Sequence, residues 1–260
     1  MDLGLKSKKV LITGASQGIG EGAARVFAAE GADLKLTARR GDVLDSLAAN
    51  LKRETGVSVE TFPIDLELRG AAQKLADAAG DVDILVNNAG VIPGGNLEFV
   101  DEKTWRAGWE LKVFGYINLC RIYYARMKAS GGGVIVNNIG NAGERLDAEY
   151  ISGTSGNACL MAFTRALGGP SLGDGIRVVG INPGPVDTPR IYKLLRQRAK
   201  EWFGDESRWK ELQARYPKGR PASVAEICDA MAFLASDRSG YTSGAILTID
   251  GGIASRSSII

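Results

Sequence analysis

The chain has no histidine among its 260 residues. This removes Ser-His-Asp and Cys-His catalysis and most zinc sites, which need an imidazole as base or ligand. It also disarms Gly14-Ala-Ser-Gln-Gly18, which fits a G-x-S-x-G nucleophile elbow but has no imidazole to take the serine proton. Cysteine is scarce. Cys120, Cys159 and Cys228 stand singly in apolar stretches and read as reduced core residues with no disulfide or metal role. No metal site is expected. A net charge of +2 supplies no field to draw in nucleic acid or a membrane surface. No apolar run approaches the ~20 residues of a membrane span. The opening MDLGLKSKK runs directly into an apolar strand with no signal-peptide pattern, so a cytoplasmic location is expected. There is no linker, repeat or low-complexity segment, and residues 1–260 read as one domain.

The remainder is ordinary globular composition, 45% hydrophobic and 24% charged, enough to bury a sizeable core. Apolar, β-rich runs lie near 9–13, 33–37, 58–62, 83–87, 133–137, 176–181 and 245–249. Helical patterns lie between them, near 18–30, 41–55, 68–79, 102–129, 155–168, 189–214 and 223–236. Alternation of this kind predicts an α/β fold: a parallel sheet with helices on both faces. Gly131-Gly-Gly133 reads as a tight turn into a strand.

The most informative segment is Val10–Gly20, VLITGASQGIG. The strand Val10–Thr13 runs into a turn where Gly14, Gly18 and Gly20 let the backbone bend tightly and approach a pyrophosphate. Free N–H groups and the dipole of the following helix favour that anion. Ser16, Gln17 and Ile19 complete the candidate loop. Strand Leu34–Thr37 is followed by Ala38, Arg39 and Arg40, with no carboxylate where one would bind a ribose 2′-hydroxyl. An arginine there pairs with a 2′-phosphate, so NADP(H) is expected ahead of NAD(H).

With these features the chain resembles the short-chain dehydrogenase/reductase family over nearly its whole length. Thr13–Gly20 is similar to that family's cofactor turn. Asn87-Asn-Ala-Gly90 resembles its motif after the fourth strand, and Asn182-Pro-Gly-Pro-Val-Asp-Thr188 its motif after the sixth. Phe233–Asp237 and Thr248–Gly252 resemble its C-terminal signatures. The resemblance implies a Rossmann-type, doubly wound sheet, seven-stranded and mostly parallel. It implies that Asn88, Ala89 and Gly90 pack under the adenosine half of the cofactor. Asp65 would meet the adenine amino group, with Leu66 beside it. Pro183, Gly184, Val186 and Thr188 would hold the carboxamide and pyrophosphate.

The same resemblance implies an Asn, Ser, Tyr, Lys tetrad for carbonyl–alcohol chemistry. The stretch Ala158–Leu167 sets the register, which puts Gly153 at the tyrosine position and Asn157 at the lysine position. The serine position falls on Gly140 and the asparagine position on Lys112. An atypical member lacking the tetrad is therefore expected. Two groups are candidates to supply the proton. A desolvated Lys112 would have a lowered pKa, and Tyr150 could turn its hydroxyl into the gap at Gly153. Asn157 completes the candidate catalytic set. Tyr124-x-x-x-Lys128 matches the tyrosine–lysine spacing but falls on the wrong helix. Tyr124 reads as a packing residue and Lys128 as a solvated charge near a helix C-terminus.

Residues 189–220 occupy the place of a substrate lid. Basic residues there outnumber the acids Glu201, Asp205, Glu206 and Glu211, and Leu194, Leu195, Trp202, Phe203, Trp209 and Leu212 supply an apolar face. The expected substrate is a small molecule, apolar with an anionic group. An amphipathic helix pair with a solvated basic face fits the same pattern. The reading favoured is an NADP(H)-dependent oxidoreductase with a non-standard proton donor. The alternatives are a non-redox, lyase- or isomerase-like enzyme and a catalytically inactive cofactor-binding protein. The resemblance implies a homodimer or homotetramer built on the long helices at 102–129 and 155–168. Tyr116, Ile117, Leu119 and Tyr123 make the first of these apolar on more than one side, which suits an interface.

Overall fold

The strands are β1 (Lys9–Thr13), β2 (Asp33–Ala38), β3 (Val59–Pro63), β4 (Ile84–Asn87), β5 (Gly133–Asn138), β6 (Ile176–Pro183) and β7 (Ile246–Ile249). In the computed structural model, which describes residues 1–256, they form one seven-stranded sheet in the order β3-β2-β1-β4-β5-β6-β7. All six pairings are parallel. Strands covered on both faces favour continuous apolar runs; β4 and β6 are buried along their whole length, whereas β2 and β3 keep half-buried or exposed polar positions.

The helices are α1 (Gly18–Ala29), α2 (Gly41–Thr55), α3 (Ala71–Ala79), α4 (Glu102–Trp109), α5 (Gly115–Ala129), α6 (Ile151–Ser171), α7 (Pro189–Phe203), α8 (Trp209–Gln213) and α9 (Val224–Ala235). On one face α1, α2 and α9 bury Phe27, Leu44, Leu51 and Met231 against the sheet. On the other, α3 and α5 bury Leu75, Leu119 and Tyr123, with Phe163 and Leu167 of α6 packed beside them. The doubly wound expectation holds. The order of winding reverses between β1 and β4, and the crevice beyond the carboxyl ends of these strands is where such sheets take ligands.

Four local expectations need correction. The helix expected over 102–129 is broken by a π-helical turn, Glu110–Phe114, between α4 and α5. Such turns are rare and gather at functional sites, and this one carries Lys112. The helix expected over 189–214 stops when Gly204 takes a left-handed φ of 74°, a conformation glycine adopts without penalty. Cys159 is exposed, although Cys120 and Cys228 are buried. Tyr116, Leu119 and Tyr123 are buried within the chain's own core, so their apolar character gives no argument for a subunit interface.

Arg177 on β6 fixes the end of α9. It is 6% exposed. Its guanidinium donates to the carbonyls of Leu234 at 2.5 Å, Ala235 at 3.0 Å and Ser236 at 2.8 Å. These include the carbonyls that a helix leaves unpaired at its C-terminus, and the cation also meets the negative end of the dipole. Replacing Arg177 by Met would strand three acceptors, and urea unfolding should show a loss of about 2–4 kcal/mol.

Candidate active site

The carboxyl ends of β1 and β4 are tied together by Thr13. Its Oγ1 accepts the backbone N–H of Asn88 at 2.8 Å and of Ala89 at 2.9 Å, and its hydroxyl donates to the carbonyl of Val86. Asn88 Nδ2 in turn donates to the carbonyls of Thr13 and Gly14. Asn138, at the end of β5, donates to Asn88 Oδ1 at 2.8 Å.

Space explains the glycines above this knot. Gly14 and Gly18 have φ of 67° and 58°. A Cβ on Gly14 would lie 2.9 Å from Ala89 Cα, and one on Gly20 would lie 2.2 Å from the Gly14 carbonyl oxygen. The turn is thus left bare at the N-terminus of α1. Thr188 closes the far side, its methyl group 3.3 Å from where a Gly18 Cβ would be. Gly184 has no room for a side chain against Asp250. Gly14, Gly18, Gly20, Asn88, Ala89 and Thr188 thus come together at the carboxyl ends of β1 and β4, with Gly90 one residue on; Pro183 ends β6, Gly184 follows it and Val186 is buried.

At the β2 end of the cleft, Arg40 donates to Gln17 Oε1 at 3.0 Å. Arg39 pairs with Glu67 at 3.3 Å, both largely exposed. Asp65 accepts the Glu67 N–H; it lies two residues beyond β3, next to the half-buried Leu66. Ser16 and Ile19 are half-buried in the loop itself.

The other end of the cleft carries the candidate chemistry. The stem of Lys112 lies flat on Gly90, where a Cβ would come within 2.8 Å of Lys112 Cδ. Its ammonium donates to the carbonyl of Ile139, the residue after β5. Burial, reinforced by the charge of Arg190, pushes the ammonium down to about 7. One residue on, Gly140 faces Asn157, whose Nδ2 donates to the Gly140 carbonyl at 3.4 Å. Asn157 is 2% exposed, and its Oδ1 has no hydrogen-bond partner among the described residues. The Tyr150 ring lies over Gly153, where a Cβ would fall 2.0 Å from Tyr150 Cζ. Any side chain at 153 would expel that ring. Arg190 donates to Tyr150 Oη at 3.4 Å and to the Ile92 carbonyl at 3.3 Å.

Sequence reasoning missed Thr13, the Ile139 carbonyl and Trp109, whose Nε1 holds the Ser152 carbonyl at 3.0 Å near the start of α6. Only Thr13 left a signal, as a polar residue closing an apolar strand. The Tyr124–Lys128 pair lies elsewhere: both side chains bind Asp174, at 2.7 and 2.8 Å, ahead of β6. Lys128 is thus ion-paired rather than simply solvated. In the segment 189–220, Ile191, Leu195, Ala199 and Leu212 close on each other as a small core, with Tyr192, Phe203, Trp209 and Tyr216 packed against it. Leu194 and Trp202 remain exposed. Three of the basic residues there are ion-paired: Arg208 with Glu211, Arg198 with Asp147 and Arg220 with Glu226.

Comparison with known proteins agrees with this architecture. The model of the short chain dehydrogenase family matches residues 8–199. An uncharacterized oxidoreductase of Thermotoga maritima is 32% identical over 253 residues, 96% of this chain and 98% of the relative. The structure of L-sorbose reductase from Gluconobacter frateurii, complexed with NADPH and L-sorbose, superposes with a TM-score of 0.90 at 34% identity, covering 99% of this chain and 100% of that one. A 7α-hydroxysteroid dehydrogenase complexed with NADH and 7-oxo glycochenodeoxycholic acid gives 0.84 at 28% identity, covering 96% of each chain.

The lowered lysine pKa has a consequence for stability. Below about pH 7 Lys112 is protonated folded and unfolded alike, and burying that charge weighs against the fold. Between about 7 and 10.5 only the unfolded chain keeps the proton, so this group's contribution improves as pH rises. Urea unfolding of the parent chain and Lys112→Met at about pH 7 and 9 should show the parent gaining stability relative to the variant at the higher pH. A constant difference would mean that Lys112 titrates normally.

Proposed function

The chain belongs to the short-chain dehydrogenase family and is an oxidoreductase of that type; from this premise we propose that it passes hydride between NADP(H) and a carbonyl–alcohol pair, with Lys112 as the proton-transfer group in place of the family's tetrad. The observation that carries this reading is the half-buried Lys112, its stem on Gly90 and its ammonium on the Ile139 carbonyl, lowered to about 7. A general acid works best when its pKa lies near the working pH.

The residues present fit a dinucleotide. The bare backbone at Gly14, Gly18 and Gly20 leaves room for a pyrophosphate, with Ser16, Gln17 and Ile19 around it. Asn88, Ala89, Gly90, Asp65 and Leu66 are assigned to the adenosine half. Pro183, Gly184, Val186 and Thr188 are assigned to the carboxamide and pyrophosphate. The orphaned Asn157 Oδ1 is an acceptor in search of a donor, and a ribose hydroxyl would satisfy it. The bound nicotinamide supplies or accepts the hydride. Lys112 Nζ then gives a proton to the substrate oxygen in reduction, or takes it back in oxidation. Tyr150 walls the substrate side and presents its hydroxyl there. The segment 189–220 serves as the lid.

The NADP(H) preference rests on Arg39 and Arg40 following β2 without a carboxylate. The exposed Arg39–Glu67 pair is worth little on its own, so a 2′-phosphate can take over the guanidinium. L-sorbose reductase carries NADPH and the hydroxysteroid dehydrogenase NADH, so the relatives support a nicotinamide cofactor of either kind. Their oxidoreductase chemistry weighs against the non-redox and non-catalytic readings. The ligands named for these relatives support a small-molecule substrate, and a homodimer or homotetramer is assigned from the family resemblance alone.

Lys112→Met should lower kcat/KM by about 10²–10⁴. It should leave NADPH affinity in place and erase the limb of the pH–rate profile near pH 7. Unchanged turnover would remove Lys112 from this role. Arg39→Ala should weaken NADPH relative to NADH by about 10- to 100-fold, the worth of a charged hydrogen bond. An equal loss for both cofactors would place the phosphate elsewhere.

A further inference from the structure

Arg190 stands in the first turn of α7, two residues after Thr188, which packs on Gly18. This short tether brings its guanidinium across the cleft to the Ile92 carbonyl and to Tyr150 Oη. It is close enough to Lys112 for its charge to act on that ammonium. Two basic side chains thus stand within electrostatic reach of each other. Among the described residues, neither forms a salt bridge. Tyr150 adds a donor. Its oxygen accepts from Arg190, and no acceptor among the described residues takes its proton.

Like charges held together without a counter-ion repel each other, and a bound anion relieves that repulsion. A planar guanidinium beside a hydroxyl donor offers N–H and O–H groups to a group with two acceptor oxygens. We propose that Arg190 and the Tyr150 hydroxyl form a carboxylate clamp, and that the substrate pair is an oxo acid and its hydroxy acid. The redox half of this statement rests on the oxidoreductase reading above; the clamp does not. In reduction the carbonyl carbon receives the hydride from NADPH and its oxygen the proton from Lys112, while the carboxylate stays ionised on Arg190.

The clamp is tested by binding, apart from turnover. Pentanoate, pentanamide and butyl phosphate are titrated calorimetrically into the full chain, with and without saturating NADP⁺. Pentanoate should bind about 10- to 100-fold tighter than pentanamide, the worth of a charge-assisted hydrogen bond. Arg190→Gln should abolish that difference while NADP⁺ binding persists, which shows the variant folded. Arg190→Lys should restore part of it, and Tyr150→Phe should reduce it. Equal binding of acid and amide, a preference that survives Arg190→Gln, or tighter binding of butyl phosphate than of pentanoate would each overturn the clamp. Kinetics with 2-, 3- and 4-oxopentanoate against 2-pentanone then test the substrate class, and the oxo acid favoured should lose its advantage in Arg190→Gln. Arg190-dependent pentanoate binding without turnover of any of the four would support the clamp and overturn the oxo-acid substrate assignment.

Discussion

The site depends on the junction where β1 and β4 end. Thr13 Oγ1 receives two successive backbone N–H groups, and Asn88 returns hydrogen bonds to the carbonyls of Thr13 and Gly14. The two strands therefore end in register, with their last residues locked. Only with that knot in place can Gly14 and Gly20 come so near Ala89 and each other that no side chain would fit. A buried polar network is stabilising only when its members are satisfied, and the members that tie these strand ends have partners. The rigidity of the cleft floor follows from this knot.

The opposite wall is organised by absences of side chain. Gly90 gives Lys112 a surface on which to lay its stem, Gly153 gives the Tyr150 ring its seat, and Gly140 leaves room for Asn157. Each larger group occupies space that a Cβ would fill. The π-helical turn at Glu110–Phe114 belongs to the same arrangement, since Lys112 projects from it towards Ile139. A flexible lysine held between a glycine and a carbonyl loses solvent while keeping one acceptor. That position lowers its pKa without expelling it from the core.

Most of the fold was legible because it is written in local pattern. The seven apolar runs match the seven strands to within a residue or two, since strands buried on both faces need continuous apolar sequence. The Val10–Gly20 turn was legible for a similar reason: left-handed φ values at Gly14 and Gly18 require glycine. Errors arose where tertiary packing overrode local pattern. The apolar faces of Tyr116, Leu119 and Tyr123 looked free in sequence but fill the core between α5 and the sheet. The long helices at 102–129 and 189–214 were read as continuous, although the first is interrupted by the π-helical turn and the second ends on the local left-handed cap of Gly204.

The sequence by itself determined the order of strands and helices, the glycine turn and the residue types at 112, 140, 150, 153 and 157. These depend on periodicity, on backbone conformation and on counting along one helix. Only the tertiary structure decided what those residues meet. Lys112 reaches a carbonyl 27 positions away, and Arg190 joins Tyr150 at a separation of 40 and Ile92 at 98. The environment that sets a pKa, or that brings a guanidinium to a tyrosine hydroxyl, is a sum over groups from different elements. No local pattern in the chain carries that sum.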